Sequence, residues 1–168
     1  VVRHITEVAS RGGIIVDKEQ IDTKVLSIPT LPYEFKSELR KFMEQNKLAD
    51  NLNDFLDYAQ KSGIQHFPIP YMELLKNVGE KLGIEQMSKI TRMLNVLTIG
   101  VSFALLDYDK DLVEKAIKLV FSEKPKVAEM NIIALEEAYN YAKQTFKNTF
   151  HHKLENIGVK EPRIFLSG

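Results

Sequence analysis

The chain has 168 residues, enough for one hydrophobic core, and 44% of them are apolar, which excludes extended disorder. Its 23 basic side chains are balanced by 23 acidic ones, so it lacks the one-signed field that nucleic-acid or anionic-lipid binding needs. It contains no cysteine, which excludes disulfides, thiolate nucleophiles and cysteine-ligated iron–sulfur clusters on its own residues.

Neither a membrane span nor a secretion signal is evident in the sequence. The longest apolar stretch, residues 94–106, is interrupted by polar residues and is shorter than the ~20 apolar residues that cross a membrane. The chain begins at Val1 without Met, and its first residues have no basic or apolar signal region. We therefore expect a soluble, cytoplasmic protein with no membrane or nucleic-acid partner, and we expect its N-terminus to be a cut end.

Strand and helix signals alternate in the first third of the chain. Helical spacing over residues 3–10 ends at a glycine pair, and the β-branched run 13–17 predicts a strand buried on both faces of a parallel sheet. A second strand candidate, 24–28, ends at a proline. A helix then begins near Pro32 and fades near Asn46.

A capped helix and a third strand candidate follow. Asn51 or Asn53 can cap a helix that stops at Gly63. The run 64–70 alternates in part, but it contains two prolines, which cannot donate to a sheet ladder. This run is therefore predicted to be a short strand or an edge strand.

From Tyr71 onward the apolar spacing is helical. It predicts a helix that ends at Gly83, a nearly surrounded central helix, a helix capped by Asp109, and a long helix from Pro125 to about residue 146. The central helix carries Ile90, Met93, Leu94, Leu97, Val101 and Leu105. The next helix has one apolar stripe, made of Leu112, Val113, Ala116, Ile117, Val120 and Phe121.

These elements add up to an α/β fold: a three-layer α/β/α domain with a mainly parallel sheet and a helix-rich C-terminal half. Two or three strands are fewer than the ~5–6 of an average sheet. We therefore expect a truncated piece of such a domain. Its unpaired strand edge and uncovered apolar surface favour an oligomer.

Histidine and phosphate-loop patterns give no strong site. His151 and His152 are adjacent, so their side chains point apart, and His66 lies in a strand candidate where a hydrogen-bonded structural role is expected. The turn 10–13 lacks the order of a nucleotide loop. Asp17 follows a predicted parallel strand, where α/β sheets place ligands, and a capping role accounts for it equally well. We predict no catalytic residue and no metal site in this chain.

Arg92 and Asn95 are the candidate cofactor-binding residues. Asn95 lies among apolar residues of the predicted central helix, and an unpaired buried amide would cost about 1–3 kcal/mol. It therefore either bonds to another part of the protein or faces a ligand. Arg92 lies one turn earlier, and its guanidinium suits phosphate, although a surface ion pair also accounts for it.

Several motifs follow one another in the second half of the chain. They are Arg92–Gly100 (RMLNVLTIG), Leu105–Asp109 (LLDYD), Ala116–Ile117, Phe121, Val127–Asn131 (VAEMN) and Glu136–Tyr139 (EEAY). Their order resembles the gamma domain of 2-oxoacid:ferredoxin oxidoreductases. The tail segments 150–155 and 161–168 are similar to the connection between that domain and the thiamine-pyrimidine domain in fused alpha subunits. The family's glycine-rich loop and the sheet portion around it are absent from this sequence.

The resemblance, which covers Gly12 to Gly168, implies a division of the chain. Residues 1–147 would be the C-terminal part of the gamma domain, and 148–168 would be a linker into a thiamine-pyrimidine domain. The parent enzyme would decarboxylate a 2-oxoacid such as 2-oxoglutarate to an acyl-CoA, with ferredoxin reduction. That complex would use thiamine diphosphate, Mg, an iron–sulfur cluster and coenzyme A, and would include a beta subunit.

The resemblance gives this piece of the enzyme a limited role. It would serve assembly and coenzyme A access, through Arg92 and Asn95, and would be inactive alone. The alternative is a stand-alone α/β interaction domain with no enzymatic role.

Overall fold

The computed structural model describes residues 2–155 and builds them around two parallel strands. Strand β1 is Gly13–Asp17 and strand β2 is Gln65–Ile69, with Gly13 opposite Gln65 and Asp17 opposite Ile69. Both strands were predicted from the sequence, and both are confirmed. The helices are α1 (Tyr33–Asn46), α2 (Leu52–Lys61), α3 (Tyr71–Leu82), α4 (Met87–Ile90), α5 (Leu94–Leu105), α6 (Lys110–Val120) and α7 (Pro125–Thr145). Short 3-10 turns occupy Val2–Glu7, Lys18–Gln20, Val25–Ser27 and Thr91–Met93.

Each face of the sheet carries its own apolar core. Ile14 and Val16 of β1 point into a core shared with α1, α2 and the turns at Val2–Glu7 and Val25–Ser27. Phe67 and Ile69 of β2 point the other way, into a core shared with α3, α4, α5 and α7. The alternation of side chains along a strand separates the two sets. The predicted α/β fold, with helices on both sides of a parallel sheet, is therefore confirmed.

The segment 24–28 is not a strand, so that prediction is wrong. Residues Val25–Ser27 form a 3-10 turn. The Leu26 N–H donates to the Asp50 carboxylate at 2.9 Å, and the Ser27 hydroxyl donates to the Lys24 carbonyl at 2.6 Å. Because the Leu26 N–H and the Lys24 carbonyl are used in these bonds, they are not available for a sheet ladder.

The predicted central helix is broken into three pieces and exposes one face. Helix α4 ends at Ile90, a 3-10 turn follows, and α5 begins at Leu94. Leu97 and Val101 are fully buried, as predicted, but Ile99 is 42% exposed. The helix is thus covered by α3 and α7 on one side rather than surrounded.

Helix α6 buries less of its apolar stripe than its spacing predicts. Val113 is buried, whereas Ala116 is exposed and Val120 is 74% exposed. The neighbouring Phe121 instead lines a groove against Ala128 of α7. Residues adjacent in sequence lie about 100° apart on a helix, so only one of Val120 and Phe121 can face α7.

We expect the Leu97→Ala variant to lose about 2–5 kcal/mol of unfolding free energy, because it leaves a cavity at a fully buried position. The exposed Lys115 of α6 provides the control, and its replacement by Ala is expected to stay within about 0.5 kcal/mol. Urea unfolding curves measure both values. Equal midpoints for the two variants would contradict the placement of Leu97 in the core.

Candidate functional site

Arg92 and Asn95 lie on the surface where α5 begins. Arg92 belongs to the 3-10 turn Thr91–Met93 and is exposed, and Asn95 is in the first turn of α5 and is also exposed. Within residues 2–155, neither side chain has a recorded hydrogen bond or salt bridge. Both polar heads are therefore exposed and unpaired within this part of the chain, where the surface ion pair considered for Arg92 is not formed.

The prediction that Asn95 is buried is wrong. Helix α5 is apolar around most of its circumference, so its sequence pattern does not reveal which face meets solvent. The buried amide belongs to Asn131 of α7, which is only 9% exposed. Its side-chain Nδ2 donates to the Val127 carbonyl at 2.7 Å, one turn back in the same helix. This bond satisfies the amide within the helix.

The carboxyl end of β1 borders a cavity of about 620 Å³. Asp17 lies at its wall, but the Asp17 carboxylate accepts a hydrogen bond from the Glu19 N–H at 3.1 Å and caps the following 3-10 turn. The side-chain hydrogen bond to Asp17 also raises the pKa of Glu19. The capping role weighed for Asp17 is therefore present, and most of the remaining wall is apolar, with Val2, Val16 and Leu52 among its residues.

Two of the four histidines have polar partners among residues 2–155. His4 pairs with Glu7 at 2.7 Å, and His152 Nε2 lies 3.1 Å from the Arg11 carbonyl oxygen. His66 Nδ1 is buried, and the hydrogen bond expected for this side chain is not formed within residues 2–155. In the same range, no cluster of three or more His, Asp or Glu side chains is arranged to hold a metal ion.

A charged cluster that the sequence did not reveal joins the end of α7 to the segment after it. Asp107, which follows α5, accepts from Lys143 of α7 and from Lys153 at 2.9 Å. These two lysines lower the pKa of Asp107 from 3.8 to about 2. No local sequence pattern signals the cluster, because its members are 36 and 46 residues apart.

We call residues 147–155 the return segment, because they run back along the domain. The Leu154 N–H donates to the Leu106 carbonyl at 2.8 Å, and the Gln65 side-chain amide donates to the Thr149 carbonyl at 2.8 Å. Phe150 packs edge-on against Phe67 of β2 with 5.6 Å between ring centroids. The first part of the predicted linker 148–168 is thus packed on the domain, and residues 156–168 lie outside the described part.

Two further charged pairs anchor α7. Lys110 of α6 reaches Glu136 at 2.6 Å and Glu114 at 3.0 Å, and its hydrogen bond with Glu136 raises the pKa of Lys110. Glu137 accepts from Lys81 of α3 at 2.5 Å, and also from a neighbouring asparagine amide. Burial opposes the charge on Glu137, but these hydrogen bonds outweigh it and lower its pKa. The charges therefore fix helices to one another.

The helices of residues 2–155 include none that combines the length and apolar character of a membrane span.

Comparison with known proteins identifies the class of protein. Residues 1–141 match the family described as pyruvate ferredoxin/flavodoxin oxidoreductase. This match covers most of the chain, so the chain belongs to that family, as its resemblance to 2-oxoacid:ferredoxin oxidoreductases predicted.

Three of the relatives that the chain resembles are named as alpha subunits of 2-oxoacid:ferredoxin oxidoreductases. The chain is 26% identical to 2-oxoacid:ferredoxin oxidoreductase 2, subunit alpha, of Aeropyrum pernix, over 87% of its length. It is 27% identical to the alpha subunit of the Saccharolobus solfataricus enzyme over 100% of its length, and 23% identical to a Sulfurisphaera tokodaii alpha subunit over 79%. It spans only 21% to 25% of the length of these relatives. The similarity is therefore to one part of a longer subunit.

We expect the Asp107→Asn variant to release the return segment. Asn tolerates the left-handed backbone of this position (φ 55°), so the change removes the charge and keeps the turn. Trypsin is expected to cleave after Lys147 and Lys153 several-fold faster than in the parent chain, as measured by mass spectrometry of the products.

The matched control is Asp111→Asn, an exposed carboxylate with no recorded lysine contact among the described residues. Cleavage as fast in the control as in Asp107→Asn would contradict the role of the cluster.

The stabilisation by Asp107 also depends on pH. Because the pKa of Asp107 is lowered in the folded chain, its contribution to stability is complete above the ordinary value of 3.8 and is lost as the pH falls through about 2.

Proposed function

We propose that this chain is an assembly portion of a 2-oxoacid:ferredoxin oxidoreductase alpha subunit and that the redox groups lie elsewhere in the enzyme. The observation that carries the proposal is the family match over residues 1–141 in a sequence without cysteine. Iron–sulfur clusters are held by cysteine thiolates, so the donor set of this chain does not fit one. This part of the subunit therefore contributes contact surface for assembly and no iron–sulfur cluster ligands.

The reaction of the complete enzyme is also part of the proposal. The relatives' names support oxidation of a 2-oxoacid with ferredoxin as acceptor, and 2-oxoglutarate is the substrate that we propose. The complete enzyme would use thiamine diphosphate with Mg and would pass its acyl group to coenzyme A. A beta subunit and ferredoxin would be its protein partners.

Among the cofactors and substrates proposed for the complete enzyme, coenzyme A is the one that residues of this chain would contact. Arg92 and Asn95 are exposed and one helical turn apart, and neither is engaged by another described residue. A guanidinium donates in a fixed fork to phosphate oxygens, and an amide adds a further donor. These donors fit the phosphate groups of coenzyme A, which supplies the thiol that accepts the acyl group.

A second candidate function is a stand-alone interaction domain. It is favoured by Leu119 and Val120 at the end of α6, which are 77% and 74% exposed and together present apolar surface. The gene distinguishes the two candidates. A reading frame that continues past Gly168 into a thiamine-type domain supports the oxidoreductase, and a stop codon at that point supports the interaction domain.

We expect the 168-residue chain alone to be inactive. Mixed with 2-oxoglutarate, thiamine diphosphate, Mg, coenzyme A and a viologen dye, it is expected to leave the dye oxidised, because it has no thiolate ligands for a cluster. The absorbance of the reduced dye measures the result, with the complete enzyme as the positive control. Dye reduction by the chain alone would overturn the assignment of the redox groups to other parts.

We expect Arg92→Ala in the complete enzyme to raise the KM for coenzyme A about 10-fold, by loss of a charged hydrogen bond to phosphate. The KM for the 2-oxoacid is expected to stay unchanged. Steady-state kinetics with each substrate varied in turn measure both constants.

Lys89→Ala is the matched control for Arg92, because it removes one exposed positive charge from the preceding turn. It is expected to change neither constant. An equal KM for coenzyme A in Arg92→Ala and the parent enzyme would contradict the proposed contact between Arg92 and coenzyme A.

A further inference from the structure

The two turns that lead into β1 and β2 lie side by side at the amino end of the sheet. The Arg11 N–H donates to the Gly63 carbonyl at 3.1 Å, and both residues have left-handed backbones, with φ of 67° and 81°. Glycine adopts this conformation readily, whereas an arginine is strained there. The fold thus holds a long cationic side chain at a position that suits glycine.

A cavity of about 480 Å³ lies between these turns and the return segment, and it is lined by Arg11, Gly63, Gln65 and His151. Among the described residues, its lining includes two basic side chains but no carboxylate and no apolar side chain. Within residues 2–155, neither the Arg11 guanidinium nor the His151 imidazole has a recorded hydrogen bond or ion pair. Both groups donate to oxyanions, so this wall of the cavity can bind a phosphate group.

Gln65 adds a hydrogen-bond acceptor to the same cavity. Its side-chain Nε2 donates to the Thr149 carbonyl at 2.8 Å, and this bond orients the amide. The other end of the amide, Oε1, is buried and has no partner within residues 2–155. A buried acceptor without a partner is unfavourable, and a hydroxyl group of a ligand would satisfy it.

We propose that this cavity binds a small phosphorylated polyol, with its phosphate on Arg11 and His151 and one hydroxyl donating to Gln65 Oε1. The volume falls within the ~300–1,000 Å³ of small-molecule sites, so there is room for an organic part beside the phosphate. Because the lining is polar, that part is hydroxylated rather than aromatic or aliphatic. The site uses none of the residues proposed for coenzyme A and does not rest on the proposed function.

NMR titration of the isotope-labelled 168-residue chain tests the proposal. The probes are glycerol 3-phosphate, inorganic phosphate and glycerol, and the backbone amides of Arg11, Gly63 and Gln65 report binding at the cavity. We expect glycerol 3-phosphate to bind about 10-fold more tightly than inorganic phosphate, because its glycerol hydroxyls extend from the phosphate toward Gln65. Glycerol, which has no charge for Arg11 to bind, is expected to cause no shift.

Arg11→Gly removes the guanidinium and keeps the left-handed turn, so it separates binding from folding. We expect this variant to bind glycerol 3-phosphate about 10-fold more weakly, with a Tm within about 3 °C of the parent value. The matched control is Lys47→Gly, which removes a basic side chain from another left-handed position (φ 54°) at the end of α1. It is expected to bind glycerol 3-phosphate as the parent chain does.

Gln65→Met tests the hydroxyl contact, because methionine keeps the length of the side chain and has no amide oxygen. The variant is expected to bind inorganic phosphate but to lose the preference for glycerol 3-phosphate. Loss of the bond between Gln65 and the Thr149 carbonyl would weaken both ligands together. The ratio of the two Kd values therefore reports the hydroxyl contact alone.

Any of four results would overturn the proposal. The first is no binding of glycerol 3-phosphate to the parent chain at about 10 mM. The second is equal affinity of the parent chain for glycerol 3-phosphate and inorganic phosphate, which would indicate non-selective attraction of anions to basic side chains. The third is parent-like binding by Arg11→Gly, and the fourth is an unchanged preference for glycerol 3-phosphate in Gln65→Met.

Discussion

The close approach of α5 and α7 at Gly100 is the contact on which the C-terminal half depends. A Cβ atom at Gly100 would lie 2.7 Å from the Leu135 carbonyl oxygen and 3.1 Å from the Ala138 Cβ, so a larger residue would force the two backbones apart. Ala134 and Ala138 of α7 are fully buried in the same core. With small residues at the contact, the helices pack backbone to backbone, and the larger apolar side chains fill the space between this pair, α3 and β2.

The position of α7 in turn determines how the amino end of the sheet is covered. Phe146, just after α7, stacks edge-on against Phe67 at 5.3 Å, and Phe150 covers the same ring from the return segment. A Cβ at Gly13 would lie 3.0 Å from the rings of both Phe67 and Phe150, so this glycine admits the aromatic cover. The Asp107 cluster then holds the return segment in place from its far end.

The sequence predicted those elements whose signals are local. The run 13–17 and the run 64–70 were predicted correctly because β-branched residues and flanking glycine or proline mark short buried strands. The run 24–28 has the same length and apolar character, yet the Asp50 carboxylate, which is distant in sequence, captures its backbone. The prediction that Asn95 is buried was wrong for a related reason. The sequence pattern of an almost wholly apolar helix does not show which face is buried, and here the packing of α7 determines it.

The two strands of the sheet differ in how well their outer edges could pair with a further strand. A parallel sheet buried on both faces has apolar strands, and an apolar edge strand with unpaired backbone groups is a template for pairing with another strand. Pro68 takes one N–H donor away from the outer edge of β2, whereas β1 contains no proline. Helices cover both faces of the sheet, and the packed α5–α7 pair places Arg92 and Asn95 on the surface where α5 begins.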